Sequence, residues 1–437
     1  MIQVREYARL TTDANATPSL DCGIVNSSTF AWLQDLASRW NKSEPIALID
    51  GHGSLRLGSY VGYLQSPTGE AIEILPKTGL GAEDPQAARR ILQRMLMTSL
   101  DVRPRTAGDA KLRRMRQPLH EWIFRQFLTE LQRLVGRGLR FDYQRVDEES
   151  RFIRGQLRLS QQQRQPLGRR HLFQISHDIY TPDRLENRLL KTTLSYVLAN
   201  CKSGENWRRA NELTHRMADI PPEQEPLRAM NNWRSNKLMQ DYDAIRPWCE
   251  LILAKLNPNF QQGQHRGIAL LFPMEQLFEK YVEVSLRHEL PAGIQLKAQA
   301  SSQYLLRHKP QGSDISTTMF QLKPDLLLRT PLGDQVLDTK WKLLDQCAWT
   351  SDKKYNIAQS DLYQMFAYGH KYQHGRGHMM LIYPKHPAFT EPLPPFHYSE
   401  SLAIWIAPFC LESSRLVSGG WEAHFPQTTN KRPLASL

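Results

Sequence analysis

Between residues 274 and 290, Met274, Leu277, Phe278 and Tyr281 recur at helical spacing among charged neighbours, which predicts an amphipathic helix. The same period aligns Ile91, Leu92, Met95 and Leu96 on a helix over 83–100. It also aligns Trp122, Ile123, Phe127, Leu131 and Leu134 on one over 119–135, which Gly136 and Gly138 end. Further helices are expected over 30–40, 182–200, 234–256 and 361–372, the last opened by Ser360 as N-cap. Shorter runs read as strands: 46–50, 59–65 and 71–77, separated by the turn signals GHGS and SPTGE, then 321–329, 335–343 and a buried strand over 379–383. Between them lies a short extended piece over 152–159.

This order predicts a multidomain α+β protein. A β-rich domain built as a small sheet or barrel spans 1–100, a mainly helical, basic region 101–262, and an α/β domain 263–437. A chain of 437 residues exceeds one ordinary core, so several domains are the default. No internal repeat occurs, and the only biased tract is the short QQQRQ at 161–165.

Charge changes the picture more than composition does. Lys and Arg exceed Asp and Glu by 56 to 44, and a pI near 9.4 makes a polyanion such as nucleic acid the partner to test. The excess is concentrated: residues 103–170 hold 17 Lys or Arg against 7 Asp or Glu. Solvated helix faces and a phosphate-contacting surface explain that cluster equally well. Cys22, Cys201, Cys249, Cys347 and Cys410 form no CxxC pair and suit reduced thiols rather than a zinc or iron–sulfur site. No apolar run has the length of a membrane span and the N-terminus lacks a signal-peptide core, so a cytoplasmic location is expected.

The candidate chemistry lies in KPDLLLRTPLGDQVLDTK, residues 323–340. Thr330-Pro331-Leu332-Gly333 fits a type I turn, and a hairpin centred there sets Asp325 opposite Asp338. Opposed like charges destabilise a strand pair unless something neutralises them, and a divalent cation would. Period-two alternation puts Lys340 on the face of Asp338 and points Thr339 away. Hydrolysis of a phosphodiester uses such a set: carboxylates for Mg²⁺, and a cation near the developing charge, with Lys340 orienting or helping to deprotonate the water. The pattern resembles the PD-(D/E)xK nuclease motif, though a solvated hairpin or a structural Asp–Lys pair would account for these residues as often.

Two neighbouring elements add to it. Gln364 and Tyr368 share a helix face and resemble the QxxxY element of RecB-like nucleases; a surface amide and a core aromatic is the plainer alternative. Glu279 resembles the extra acidic metal ligand of such folds, although Glu275, Glu279 and Lys280 also read as solvated charges. No GxxxxGK[ST] phosphate loop occurs, which argues against nucleotide hydrolysis by this chain. His370, His374 and His378 are separated by Gly375 and Gly377 and read as a loop rather than a zinc site, and no GxSxG or Cys/His nucleophile arrangement appears.

Longer phrases resemble one family, the McrC subunits of McrBC modification-dependent restriction systems. They are VGYLQSPTGEAIEILPK (61–77), GLRFDYQRVDEESRFIRGQLRL (138–159), DRLENRLLKTTLSYVL (183–198), MEQLFEKYV (274–282), KPDLLL with LDTKWK, and DLYQMFAYG followed by LIYP. They occur in the family's order and span most of the chain, which looks like a long-form member with an added N-terminal β domain. The resemblance implies a Mg²⁺-dependent endonuclease subunit of a type IV antiviral system, cleaving methylcytosine-containing double-stranded DNA. Its implied site is Asp325, Asp338, Lys340, Gln364 and Tyr368, with Asp325, Asp338 and Glu279 as metal ligands. Its implied partner is a McrB-like AAA+ GTPase ring, which binds the GTP, commonly reads the methylated base, and is stimulated by McrC. The N-terminal and middle regions would then serve partner docking and DNA backbone contacts. The motif's middle acid is Asp338 where the wider superfamily commonly has Glu, and the McrC pattern itself has Asp. Two other functions remain open at this point: a DNA-binding assembly or activator subunit that no longer cuts, and a stand-alone RecB-like exonuclease. Missing cysteine clusters argue against the iron–sulfur branch of the latter.

Overall fold

The strand Tyr60–Gln65 takes partners from both ends of the chain: Ala71–Leu75 antiparallel on one edge and the distant Ile268–Pro273 antiparallel on the other. Gly62 makes the second pairing possible. Its φ is +141° and a Cβ there would lie 1.9 Å from the Leu270 carbonyl oxygen, so no other residue fits. Ile2–Arg5 completes this four-stranded sheet by pairing parallel with Ala71–Leu75. A second four-stranded sheet runs in the order Cys22–Ile24, Arg9–Thr11, Ser54–Leu57, Ala47–Ile49. The N-terminal segment is thus built on two open sheets, whose core includes Val4, Leu10, Trp32, Leu64, Ile72 and Leu271.

The structure is a computed structural model that describes residues 1–40, 45–51, 53–78, 84–101, 117–255, 267–309, 311, 315–331 and 333–426. The chain forms two units: Met1–Leu119 with His265–Leu437, and His120–Gln264. The first helix, Ser27–Arg39, is N-capped by Asn26, whose Oδ1 accepts from Thr29 N at 2.7 Å. The next, Pro85–Ser99, is capped by Asp84; Glu83, expected to begin it, lies outside the described residues.

In the C-terminal part of the first unit a mixed seven-stranded sheet runs Gln295–Ala298, Leu326–Thr330, Gly333–Thr339, Gly377–Pro384, Leu402–Cys410, Leu393–His397, with Arg415–Leu416 also paired to Leu402–Cys410. The hairpin strands are antiparallel, and Gly333–Thr339, Gly377–Pro384 and Leu402–Cys410 are mutually parallel. The helix Gln359–Tyr372 is the crossover between the first two parallel strands, and its Met365, Tyr368 and Tyr372 pack on Leu327, Val336 and Leu381. Alternation sends Leu328, Leu337 and Met380 to the opposite face, beside Leu286 of the helix Met274–Glu289. One helix therefore covers each face near the hairpin.

The second unit is mainly helical, with Leu119–Arg137 entering from the first unit, then Leu185–Asn200, Gly204–Arg216 and Arg246–Lys255. It also holds a sheet that the expected short extended piece only hints at. Asp142–Ser150 and Phe173–Thr181 pair antiparallel along their full lengths, and Gln156–Leu157 adds to the other edge of the latter. Arg125, Arg133, Arg137, Arg154, Arg158 and Arg169 each form an ion pair with a carboxylate of this unit, so internal pairs take up part of the basic cluster. Residues 102–116, where that cluster begins, lie outside the described residues.

Several element boundaries depart from expectation, and the strand over 335–343 already ends at Thr339. The helix over 234–256 is broken into Lys237–Met239, Gln240–Asp243 and Arg246–Lys255, because Pro247 is tolerated only in a first turn; Leu256 lies outside the described residues. The strand over 321–329 divides into Thr317–Leu322 and Leu326–Thr330 around Pro324, which has no N–H for a ladder. Ser360 sits inside its helix, whose N-cap is Ala358 with no side-chain bond. Among the described residues no helix is long and apolar enough to cross a membrane, and all five cysteines are free.

Candidate active site

The hairpin register runs from Thr330 opposite Gly333 to Leu326 opposite Leu337, so the next pair outward is Asp325 and Asp338, as the turn requires; Leu332 of that turn lies outside the described residues. Asp338 is still within its strand and only 1% exposed, whereas Asp325 lies just beyond the end of its own strand and is half-buried. Lys340 Nζ sits 2.5 Å from Asp338 Oδ2. Apart from this ion pair, neither Asp338 oxygen has a hydrogen bond of good geometry. Burial, then the nearby Asp325 carboxylate, push the Asp338 pKa above the usual carboxylate range, with Lys340 opposing them.

Thr339 was expected to point away, but both its N–H and its hydroxyl donate to Asp325 Oδ2, at 2.8 and 2.7 Å. The strand ends at Thr339, and strict alternation ends with it. Glu279, on the helix Met274–Glu289, joins from the other side and accepts a hydrogen bond from Gln299 Nε2. Its pKa is pushed up to about 7, first by burial, then by the negative charge of Asp325, with Asp338 adding to it. Sequence reasoning assigned nothing to Gln299, whose backbone N–H also donates to the Asp325 carbonyl at 2.8 Å; no motif signals it.

Gln364 meets Lys340 directly, and Tyr368 reaches it through Gln364. Lys340 Nζ donates to Gln364 Oε1 at 3.2 Å, Gln364 Nε2 donates to Tyr368 Oη at 2.7 Å, and the phenol donates to the Lys323 carbonyl at 2.9 Å. Each group fixes the orientation of the one before it. Burial pushes the Tyr368 phenol up to about 12, so it remains a neutral donor. Burial pulls the Lys340 pKa down, but the Asp338 and Asp325 charges more than reverse this, and its ammonium is held protonated. Lys342, two residues on, pairs with Asp361 at 2.8 Å at the start of the same helix. Its place in LDTKWK, in step with Lys340, is the one signal that could have marked it. His370, His374 and His378 are not gathered: Trp405 Nε1 donates to His378 Nδ1, and His378 stacks on His424.

A cavity of about 410 Å³ opens in front of Glu279, Asp325, Thr339 and Lys340. Three neighbouring carboxylates, Asp325 with Glu279 and Asp338 whose pKa values are raised, the last buried without a hydrogen bond of good geometry, suit a hard, oxygen-seeking divalent cation. Among the described residues no three His, Cys, Asp or Glu side chains already stand at ligating positions around one point. The donor chemistry fits such an ion, and the oxygens would have to close on it.

The chain matches the McrBC family, described as the McrBC 5-methylcytosine restriction system component, over residues 55–384. No curated protein matches it. Among solved structures it is similar to a chain of the refined half-complex from a tetradecameric assembly of Thermococcus gammatolerans McrB AAA+ hexamers with bound McrC. The identity is 18%, 94% of each chain is covered and the TM-score is 0.63. A chain of the Thermococcus gammatolerans McrBC complex also matches, at 18% identity over 66% of this chain and 87% of that one, with a TM-score of 0.48. The likeness to the first shows a shared fold over nearly the whole length. With the family's own match covering most of the sequence, the chain belongs to the McrBC family of 5-methylcytosine restriction system components.

Proposed function

We propose that this chain is the McrC-type nuclease subunit of its restriction system and hydrolyses phosphodiester bonds in methylcytosine-containing double-stranded DNA. The observation that carries the reading is Asp338: a buried carboxylate with unused acceptors, paired to a lysine that Gln364 and Tyr368 hold in place. Asp325, Asp338 and Glu279 would hold Mg²⁺, which when bound polarises the phosphoryl oxygen and lowers the pKa of an attacking water. Asp325 is oriented for this by Thr339, and Glu279 by Gln299. Lys340, kept protonated, donates to the water or to the phosphoryl oxygen on which charge develops. Gln364 and Tyr368 keep the ammonium from swinging away. A partner of the AAA+ GTPase kind, which would bind GTP and be stimulated by this chain, is supported by the fold shared with a chain from the assembly of McrB hexamers with bound McrC.

The test is cleavage of methylated duplex DNA by the full complex with Mg²⁺ and GTP, comparing wild type with Asp338→Ala. Cutting is expected to vanish in the variant while stimulation of the partner's GTPase persists. Undiminished cutting by the variant would sink the proposed site, and cutting without any partner would favour a stand-alone exonuclease.

A further inference from the structure

Lys340 and Asp325 do not face open solvent. The cavity before them has its second wall in the first sixty residues, formed by Tyr7, Leu48, Arg56, Gly58, Ser59 and Tyr60. That wall is tied to the catalytic strand. Trp341, the residue after Lys340, donates through Nε1 to the buried Glu6 at 2.8 Å, and Glu6 also accepts from Lys77 N at 2.7 Å. The Ser59 carbonyl accepts from Met274 N at 2.9 Å, at the start of the helix that carries Glu279. Gly58 closes against Pro45, since a Cβ there would lie 2.4 Å from the Pro45 carbonyl oxygen. The wall is therefore a fixed part of the cleft.

Its chemistry complements a nucleic acid strand. The floor is acidic, with Glu275, Glu279 and Asp325, and among the described residues lining the cavity the cations are Arg56 and Lys340. The Arg56 side chain is 62% exposed and has only a 3.4 Å approach to the less exposed Asp50. A guanidinium presents a planar fork that matches phosphate oxygens. Beside it the half-exposed Tyr7 is held at φ +64°, a backbone state that costs free energy for a residue of this size. The space is that of a small-ligand cleft, enough for about one nucleotide unit.

We propose that this N-terminal wall is the strand clamp of the active site. Arg56 binds the phosphate next to the one attacked, and Tyr7 packs on the nucleoside between them. The assignment rests on the nuclease reading and adds to it the residues that position the substrate strand.

The test uses the full chain and a fluorescein-labelled duplex oligonucleotide. In EDTA, Arg56→Ala is expected to reduce the slope of log affinity against log salt by about one, and Arg56→Lys to restore it. In the full complex with Mg²⁺, Arg56→Ala is expected to raise KM for DNA about 10-fold with kcat changed less than about 2-fold, and Tyr7→Asn, which suits the positive φ, to raise it about 3-fold. Wild-type salt slope and wild-type KM in Arg56→Ala would overturn the clamp. A wild-type chain that binds with the steeper slope yet cuts nothing would leave the clamp standing and sink the nuclease reading instead. Unchanged melting temperatures for the variants would exclude unfolding as the cause of either effect.

Discussion

Two regions of the molecule bury carboxylates in opposite ways. In the N-terminal part Glu73, fully buried, accepts from Arg89 Nε at 2.9 Å, from Gln3 Nε2 at 3.1 Å and from Leu119 N at 3.3 Å, with a second Arg89 nitrogen on Oε2. Glu121 in the second unit is likewise saturated: Oε1 takes the N–H groups of Lys202 and Ser203, and Oε2 takes Asn206 Nδ2 at 2.6 Å. Asp338 is as deeply buried, yet beyond the Lys340 ion pair only the Asp325 backbone approaches its carboxylate, and neither oxygen has a hydrogen bond of good geometry. A buried charge that serves architecture is surrounded by donors, because each unmet acceptor costs roughly 1–3 kcal/mol. Poorly met acceptors between two residues that line a cleft point to a group whose partner comes from outside the chain.

This contrast predicts opposite responses to substitution. Glu73→Ala takes the carboxylate from a guanidinium that is itself buried and is expected to cost about 3–5 kcal/mol of stability. Asp338→Asn removes repulsion with Asp325, and its unfolding free energy is expected to stay within about 1 kcal/mol of wild type or to rise. Urea unfolding of the full chain measures both. A loss for Asp338→Asn as large as that for Glu73→Ala would mean that Asp338 is structural after all.

Glu6 lies between the two cases. It accepts three hydrogen bonds, from Lys77, Trp341 and Ser59, yet burial outweighs them and its pKa is pushed up to about 7. A carboxyl raised in the folded state binds a proton that the unfolded chain has already lost. Stability from this group is fully present below its ordinary pKa near 4.5 and falls as pH rises through about 7. Glu6→Gln keeps an acceptor for Lys77 and Trp341 without the charge. It is expected to match wild type near pH 4.5 and to exceed it by roughly 2–3 kcal/mol at pH 8. Parallel melting curves with a constant gap across that window would remove Glu6 from the account.

What the sequence made legible follows the range of each interaction. The Thr330-Pro331 to Gly333 turn is local, so the register that brings Asp325 level with Asp338 could be read from it. Gln364 and Tyr368, one turn apart on a helix with a clear pattern, were legible as a pair, and the structure sets Gln364 against Lys340 with Tyr368 behind it. The strand Asp142–Ser150 was missed because DYQRVDEES is polar on both faces and mostly exposed, leaving no alternation to detect. Trp341 to Glu6, Gly62 against Leu270 and Gln299 to Glu279 join distant parts of the chain, and no local pattern announces such contacts. The N-terminal wall of the cleft was invisible for that reason, although Leu48, Ser59 and Tyr60 fall in runs expected as strands.

The smallest expected effect probes how Lys340 is held. Gln364 has its carbonyl oxygen on the ammonium and its amide on Tyr368 Oη, so the phenol acts on Lys340 only by fixing the amide's direction. Tyr368→Phe frees the Gln364 amide to turn, and Gln364→Ala removes the acceptor altogether. Each is expected to slow single-turnover cleavage by about 10-fold, close to 1.4 kcal/mol, and the double variant by little more than either alone, because both break one chain of bonds. Additive losses in the double-mutant cycle would show that Tyr368 acts by another route, through its bond to the Lys323 carbonyl beside Asp325. Gln364→Glu sharpens the point further. A carboxylate beside the ammonium still accepts from Lys340 but adds charge to an already acidic site, so it is expected to recover less of the rate than the shape of the side chain alone would allow.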